Sequence, residues 1–259
     1  MIPPPPIAHP GATLDGLLGG RVRLLQPERG YRVAIDPVLL AAAVAAKAGE
    51  TVLDAGAGTG AVALCLTARV PGLAVAALER DPLHLGLLRA NVALNDREDA
   101  IAVEPGDLLA PAPGLKARTF EWVATNPPFH PVGRSSPSPF ASRAAAHGAA
   151  VPLADWIAAC LRRAAPGGRL VLVHRAAELG TVMAALLDKA AEVTIFPVQA
   201  RARDPAGRVV VRARKGGKGG VRLLPPLVLH ASDGGWTAAA EAVLRGGASL
   251  DAVVGKGEA

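Results

Sequence analysis

Two short strings in this chain hold the groups that could do chemistry. The first is Asp54-Ala55-Gly56-Ala57-Gly58-Thr59-Gly60. It follows the apolar run Thr51-Val52-Leu53 and precedes an apolar helical pattern starting near Ala61. That order reads as strand, glycine turn and helix. Glycine lets the backbone pass close to a ligand, and a helix start offers it free N–H groups. The string therefore builds a nucleotide-type pocket at the carboxyl end of a strand, unless it is only a tight turn. Gly56-x-Gly58-x-x-Ala61 also satisfies a loose dinucleotide fingerprint, so the loop alone leaves the ligand class open. The second string is Asn126-Pro127-Pro128-Phe129. Its prolines fix the backbone, and a residue before proline is held out of the helical region. The Asn126 amide and nearby carbonyls are thus presented rigidly beside an aromatic ring. A turn would explain Asn-Pro, but not an aromatic added to two prolines at a strand end.

The elements that must position these strings alternate. Strands are expected over 51–54, 74–79, 101–104, 120–125, 169–173, 191–196 and 208–214, and helices over 59–69, 82–94, 152–164 and 176–190. This pattern predicts an α/β fold, a doubly wound parallel sheet with helices on both faces. Before it, strand-like runs at 21–25 and 31–34 suggest a hairpin around 26–30. A buried helix over 37–47 follows, with Asp36 as N-cap and Pro37 at its first position. A Pro/Gly/Ser-rich loop runs from 127 to about 150. A strand-like run over 221–230 and a helix over 237–245 close the chain. Residues 1–12 read as a disordered proline-rich tail. Residues 13–259 read as one domain: hairpin and helix 13–49, core 50–214, C-terminal extension 215–259. Ligands in such folds sit outside the carboxyl ends of the strands. Glu79 ends the second strand, where it could bind ribose hydroxyls or simply charge the next helix start. Asp107 follows the third strand, where it could accept from an adenine amine or cap a turn.

Composition narrows the classes. The chain has 259 residues and 51% hydrophobic content, ample for a core. Its most apolar run, 37–46, is too short to cross a bilayer, and no basic segment followed by an apolar one marks a secretory signal. Cys65 and Cys160 lie in apolar helical patterns and read as buried thiols in a reducing compartment. No His/Cys cluster has metal-ligand spacing. The expectation is a cytoplasmic protein without membrane or metal. Net charge is +6, yet residues 201–222 alone carry eight cations against Asp204. Clustered cations suggest a polyanion partner; a solvated hairpin edge is the plainer reading.

The full string D-x-G-x-G-x-G resembles the S-adenosylmethionine loop of the doubly wound methyltransferases. Asn126 to Phe129 resembles the Asn/Asp/Ser-Pro-Pro-aromatic motif of the amino-methyltransferases. Nearly the whole chain is similar to the bacterial tRNA1(Val) adenine-N6 methyltransferase family. The match includes Gly30 to Leu40, Asp54 to Gly60, Glu79, Asp107, Asn126 to Phe129, Arg143-x-x-x-His147, Leu227 to His230, Asp233-Gly234 and the helix from Thr237. The resemblance implies a seven-stranded Rossmann-like sheet with an N-terminal hairpin and helix. It implies S-adenosylmethionine held by Asp36, Asp54, Gly56, Gly58, Gly60, Glu79, Asp107 and Asn126. It implies catalysis by Asn126, Pro127, Pro128 and Phe129 on the exocyclic N6 of an adenine in a tRNA anticodon loop. Asn126 and the Pro127 carbonyl would accept the amine protons, and Phe129 would stack on the base. Phe129 stands where tyrosine is more usual. Arg143, Arg201, Arg203 and Arg208 would contact the tRNA, and the protein is expected to be a monomer. Asn126-Pro-Pro-Phe-His130 is also similar to the guanine-N2 rRNA methyltransferases. The same motifs are compatible with a protein glutamine-N5 methyltransferase, or with a non-catalytic S-adenosylmethionine-binding RNA-associated protein. With the usual topology, the loop between the sixth and seventh strands puts Arg201, Arg203 and Arg208 on the side of Asn126. Lys215 and Lys218 then fall at the opposite edge, mostly solvated.

Overall fold

The computed structural model describes residues 11–29, 32–128 and 151–254. Five strands form the parallel centre: β3 (Thr51–Ala55), β4 (Ala74–Glu79), β5 (Ile101–Pro105), β6 (Phe120–Thr125) and β7 (Ala164–Arg175). β8 (Ala190–Arg201) and β9 (Ala206–Lys215) extend the sheet, with β9 antiparallel to both β7 and β8. The order β8-β9-β7-β6-β3-β4-β5 is that of the expected seven-stranded sheet. β10 (Val221–Leu223) and β11 (Leu227–His230) add to it, both parallel along the outer edge of β8. The run expected as one strand over 221–230 is broken at Pro225-Pro226, because proline cannot donate to a ladder.

The central strands read as continuous apolar runs because both faces are covered. One face packs on α1 (Asp36–Ala43), α2 (Ala61–Arg69), α7 (Ala238–Leu244) and α8 (Leu250–Val254). The other packs on α5 (Leu153–Arg163) and α6 (Leu179–Leu186). α3 (Pro82–Leu94) matches its expected bounds, as do β4 and β6, and a short α4 (Pro113–Lys116) precedes β6. Asp81 caps α3 by accepting from the His84 N–H at 3.0 Å.

The structure departs from the sequence expectations elsewhere too: β7 and β8 run well beyond 169–173 and 191–196, so Arg201 ends β8 and Arg208 lies in β9 while only 202–205 form the loop between them. The hairpin is β1 (Ala12–Leu17) on β2 (Val22–Pro27), so a strand begins within the expected tail and Arg32 to Ala34 form none. Its turn, Leu18-Gly19-Gly20, has positive φ throughout, which the glycine pair tolerates. α1 has Ile35, not Asp36, at its N-cap, and stops at Ala43. There Arg212 donates to the Ala43 carbonyl at 3.1 Å, and Arg69 donates to that of Ala41. The helix expected over 176–190 is a 3-10 turn plus α6, ending at Leu186 before Asp188 at φ 60°. Lys215 is partly buried and not mostly solvated: its ammonium donates to the Ala164 carbonyl at 2.7 Å. Among the described residues no helix is long and apolar enough to cross a membrane.

Candidate active site

The glycine loop leaves β3 and enters α2. Asp54, at the strand end, is buried, and its carboxylate accepts the Ala63 N–H at 3.1 Å. Burial pushes the Asp54 carboxyl up to about 7; the Ala63 bond opposes this, and the neighbouring Glu79 charge adds to it. Gly56, Gly58 and Gly60 all have positive φ, but each faces something different. A Cβ on Gly56 would stand 3.2 Å from the Trp156 ring, and one on Gly60 would collide with Leu88. A Cβ on Gly58 would meet only open space, the approach a ligand needs.

Glu79 fixes the loop from β4. One carboxylate oxygen accepts the Gly58 N–H at 2.7 Å, and the other accepts those of Arg80 and Asp81 at 2.8 and 2.7 Å. Three of its roughly four lone-pair positions are thus used in shaping the pocket, leaving one for a ligand hydroxyl. Asp107 accepts the Leu109 N–H at 2.9 Å and pairs with Arg80 at 3.2 Å. Gly106 donates to the Glu79 carbonyl at 3.0 Å, so Asp107 stands beside the end of β4. The Thr59 hydroxyl is buried without a hydrogen-bond partner among the described residues. A loop with an orphaned buried hydroxyl and open space over Gly58 fits a bound nucleoside-type cofactor.

The second string sits beside it. Thr125, the last residue of β6, pairs in register with Ala55, the last of β3. Asn126 therefore leaves its strand next to Gly56. Pro127 is buried and Pro128 exposed. Phe129, His130, Arg143 and His147 lie outside the described residues.

The basic stretch is divided. β9 is antiparallel, so Arg201, Arg203 and Arg208 fall at the carboxyl end of the sheet and Lys215 and Lys218 at the other. Arg201 and Arg203 are exposed and make no ion pair with any described residue. The Arg208 guanidinium instead meets both oxygens of buried Asp36 at 3.2 Å. Arg212 binds Asp251 at 2.7 and 2.8 Å, and Arg214 binds Glu192 at 2.7 Å.

Residues that motif reading passed over complete the site. Asn91, fully buried in α3, donates to the carbonyls of Thr59 and Leu25 at 2.9 Å, tying the loop to the hairpin. Trp156 donates to the Thr125 hydroxyl at 2.9 Å. A polar residue inside an apolar helix was the only signal for Asn91; nothing local marks Trp156. Burial pushes both cysteine thiols up to about 12, so neither is a nucleophile at neutral pH. The site can orient and polarise a bound acceptor against a cofactor on the loop.

Comparison with known proteins agrees with this geometry. The model of the family described as "Methyltransferase small domain" matches residues 32–195. A tRNA1(Val) (adenine(37)-N6)-methyltransferase from Porphyromonas gingivalis is 32% identical over 148 residues, 55% of this chain and 58% of that protein. A release factor glutamine methyltransferase from Deinococcus radiodurans is 38% identical over 178 residues, 64% of this chain and 58% of that protein. The chain thus spans little more than half the length of either relative. The solved structure of a predicted O-methyltransferase from Agrobacterium tumefaciens superimposes with a TM-score of 0.69 at 24% identity. It covers 83% of this chain and 98% of its own, and supports the fold alone.

Proposed function

Because the chain belongs to the methyltransferase small domain family, we propose that it methylates the exocyclic N6 of an adenine in a tRNA anticodon loop. The cofactor is S-adenosylmethionine, which when bound supplies an activated methyl group on a sulfonium. Asp54, Gly56, Gly58, Gly60 and Glu79 would hold it, and Asp107 beside Glu79 would accept from its adenine amine.

The observation that carries the reading is Asn126-Pro127-Pro128 leaving β6 in register with the end of the glycine loop. An exocyclic amine is a poor nucleophile because its lone pair is delocalised into the ring. The Asn126 amide oxygen and the Pro127 carbonyl accept its two N–H bonds and favour a more tetrahedral nitrogen. Phe129 stacks on the base, a contact worth about 1–3 kcal/mol. The protein thereby supplies orientation and electrostatics and leaves the reactive group to the cofactor. Asp36 acts through its pair with Arg208, at the cleft end of β9. Arg201, Arg203 and Arg143 contact RNA phosphates. Residues 13–259 work as one catalytic domain.

The relatives' names support a tRNA acceptor and the position that corresponds to adenine 37. The likeness to a release factor glutamine methyltransferase keeps a protein amide as the second reading, since it too presents a planar nitrogen. The test is a synthetic tRNA anticodon stem-loop with adenine or guanine after the anticodon, set against a glutamine-containing release-factor fragment. Transfer to the adenine loop alone is expected. Transfer to the fragment, or equally to the guanine loop, would replace this reading.

A further inference from the structure

We propose that Trp156 and Thr125 are positioning residues that set the distance between the cofactor loop and Asn126. This rests on the methyltransfer reading above. Thr125 is fully buried and immediately precedes Asn126. Its hydroxyl donates to the Ala55 carbonyl at 2.8 Å, one residue before Gly56. The same oxygen accepts the Trp156 indole N–H at 2.9 Å. The Trp156 ring then lies against the α-carbon of Gly56, with two ring atoms 3.2 and 3.4 Å from where a Cβ would be. One buried indole therefore touches both halves of the site, by a hydrogen bond on the Asn126 side and by van der Waals contact on the glycine side.

The backbone connections make this contact decisive. Thr125 ends β6 and Trp156 lies in the first turn of α5, so their bond ties the start of that helix to the strand end that carries Asn126. On the cofactor side, Gly56 and Ala57 also donate to the Leu78 carbonyl at 3.0 and 2.9 Å. The loop is thus fixed to β4 by backbone bonds, and the start of the Asn126 segment is fixed to β3 by the β3–β6 ladder, to which the Thr125 hydroxyl and the Trp156 indole add a side-chain tie that reaches Gly56. In-line transfer needs the nitrogen and the methyl carbon about 3–3.5 Å apart, and an error of about 1 Å can cost roughly 100-fold in rate. Gly56 is glycine for its φ of 76°, and a Cβ there would also press on the indole, 3.2 Å away.

Three variants test the arrangement. Trp156→Phe keeps an aromatic ring and removes the N–H; Thr125→Val keeps the shape and removes the hydroxyl; Thr125→Ser restores it. Steady-state transfer is measured on whichever acceptor the wild type methylates, with S-adenosylmethionine affinity by calorimetry. Trp156→Phe and Thr125→Val should lower kcat about 10- to 100-fold while cofactor affinity stays within a few-fold. Thr125→Ser should recover most of the rate. A second readout is independent of turnover: the cofactor should change the tryptophan emission of the wild type and not that of Trp156→Phe. Unchanged kcat in both variants, a serine variant no better than valine, or a cofactor-induced emission change that persists without Trp156 would each overturn the proposal. If the wild type transfers to neither RNA nor protein, the proposed function fails and the emission measurement alone decides this inference.

Discussion

At the carboxyl ends of β3 and β4, polar groups converge. Glu79 gathers three backbone N–H groups, Asp54 takes one from α2, and Asn91 holds the Thr59 carbonyl. Along β9 and its flanks, charged groups diverge. Arg201 and Arg203 sit at one end of the sheet and Lys215 at the other, while Arg208, Arg212 and Arg214 each take their own carboxylate. The difference lies in what holds each set. A loop tied by its own backbone stays where the chain puts it. Cations spaced along an antiparallel strand are carried along the sheet, so Arg208, Arg212 and Arg214 share one face of β9 but each lies beside a different partner. The convergent region reads as the reaction centre. The divergent one is largely a set of structural ion pairs, with two arginines left over at the cleft end.

The sharpest way to break this comparison is at Asn126. Asn126→Ala should lower methyl transfer by at least about 100-fold, the scale of losing one oriented polar group that acts in the transition state. Its S-adenosylmethionine affinity should stay within a few-fold by calorimetry, and retained turnover would remove Asn126 from the reaction. Next is Glu79→Ala. Loss of charge-assisted bonds worth about 1.5–3 kcal/mol each should weaken cofactor binding roughly 10- to 100-fold. Cofactor-dependent gain in thermal stability should shrink accordingly. An unchanged affinity would mean that the convergence on Glu79 does not shape the pocket.

A pH series isolates Asp54. Its folded pKa of about 7 lies above the ordinary 3.8, so between those values the folded state binds more protons than the unfolded state. Its contribution to stability therefore falls as pH rises from about 4 to 7. Asp54→Asn removes that slope. The melting temperature of the variant relative to wild type should rise across this window, and a flat difference would contradict the burial argument. The smallest effects belong to the divergent region. Arg201→Ala and Arg203→Ala should each reduce the magnitude of the log-affinity versus log-salt slope for tRNA by about 0.7–0.9. Lys218→Ala should leave the slope alone. Arg208→Ala should instead lower thermal stability, because it strands the buried Asp36 carboxylate. A larger slope change from Lys218 would place the RNA at the far end of the sheet.

Much of this was legible in the chain because glycine and proline punctuate it. The bounds of β4, α3 and β6 followed from turn residues and apolar period, and the two strings that flank the cleft were plain at once. The expected hairpin is displaced because Gly19-Gly20 form the turn, while Gln26 and Pro27 belong to β2 itself. Contacts between distant residues left no trace. Asp36 and Arg208 are 172 positions apart, and Trp156 meets Thr125 across 31. A charge run also looked like a patch, since sequence distance says nothing about which partners a strand will find across the sheet.

The central claim is that the register of Asn126 against the glycine loop serves transfer to an adenine amine in tRNA. It is tested most directly by incubating the protein with methyl-labelled S-adenosylmethionine and total RNA, then digesting to nucleosides. The account predicts label in N6-methyladenosine from the tRNA fraction. Label in N2-methylguanosine, or in protein alone, would contradict it.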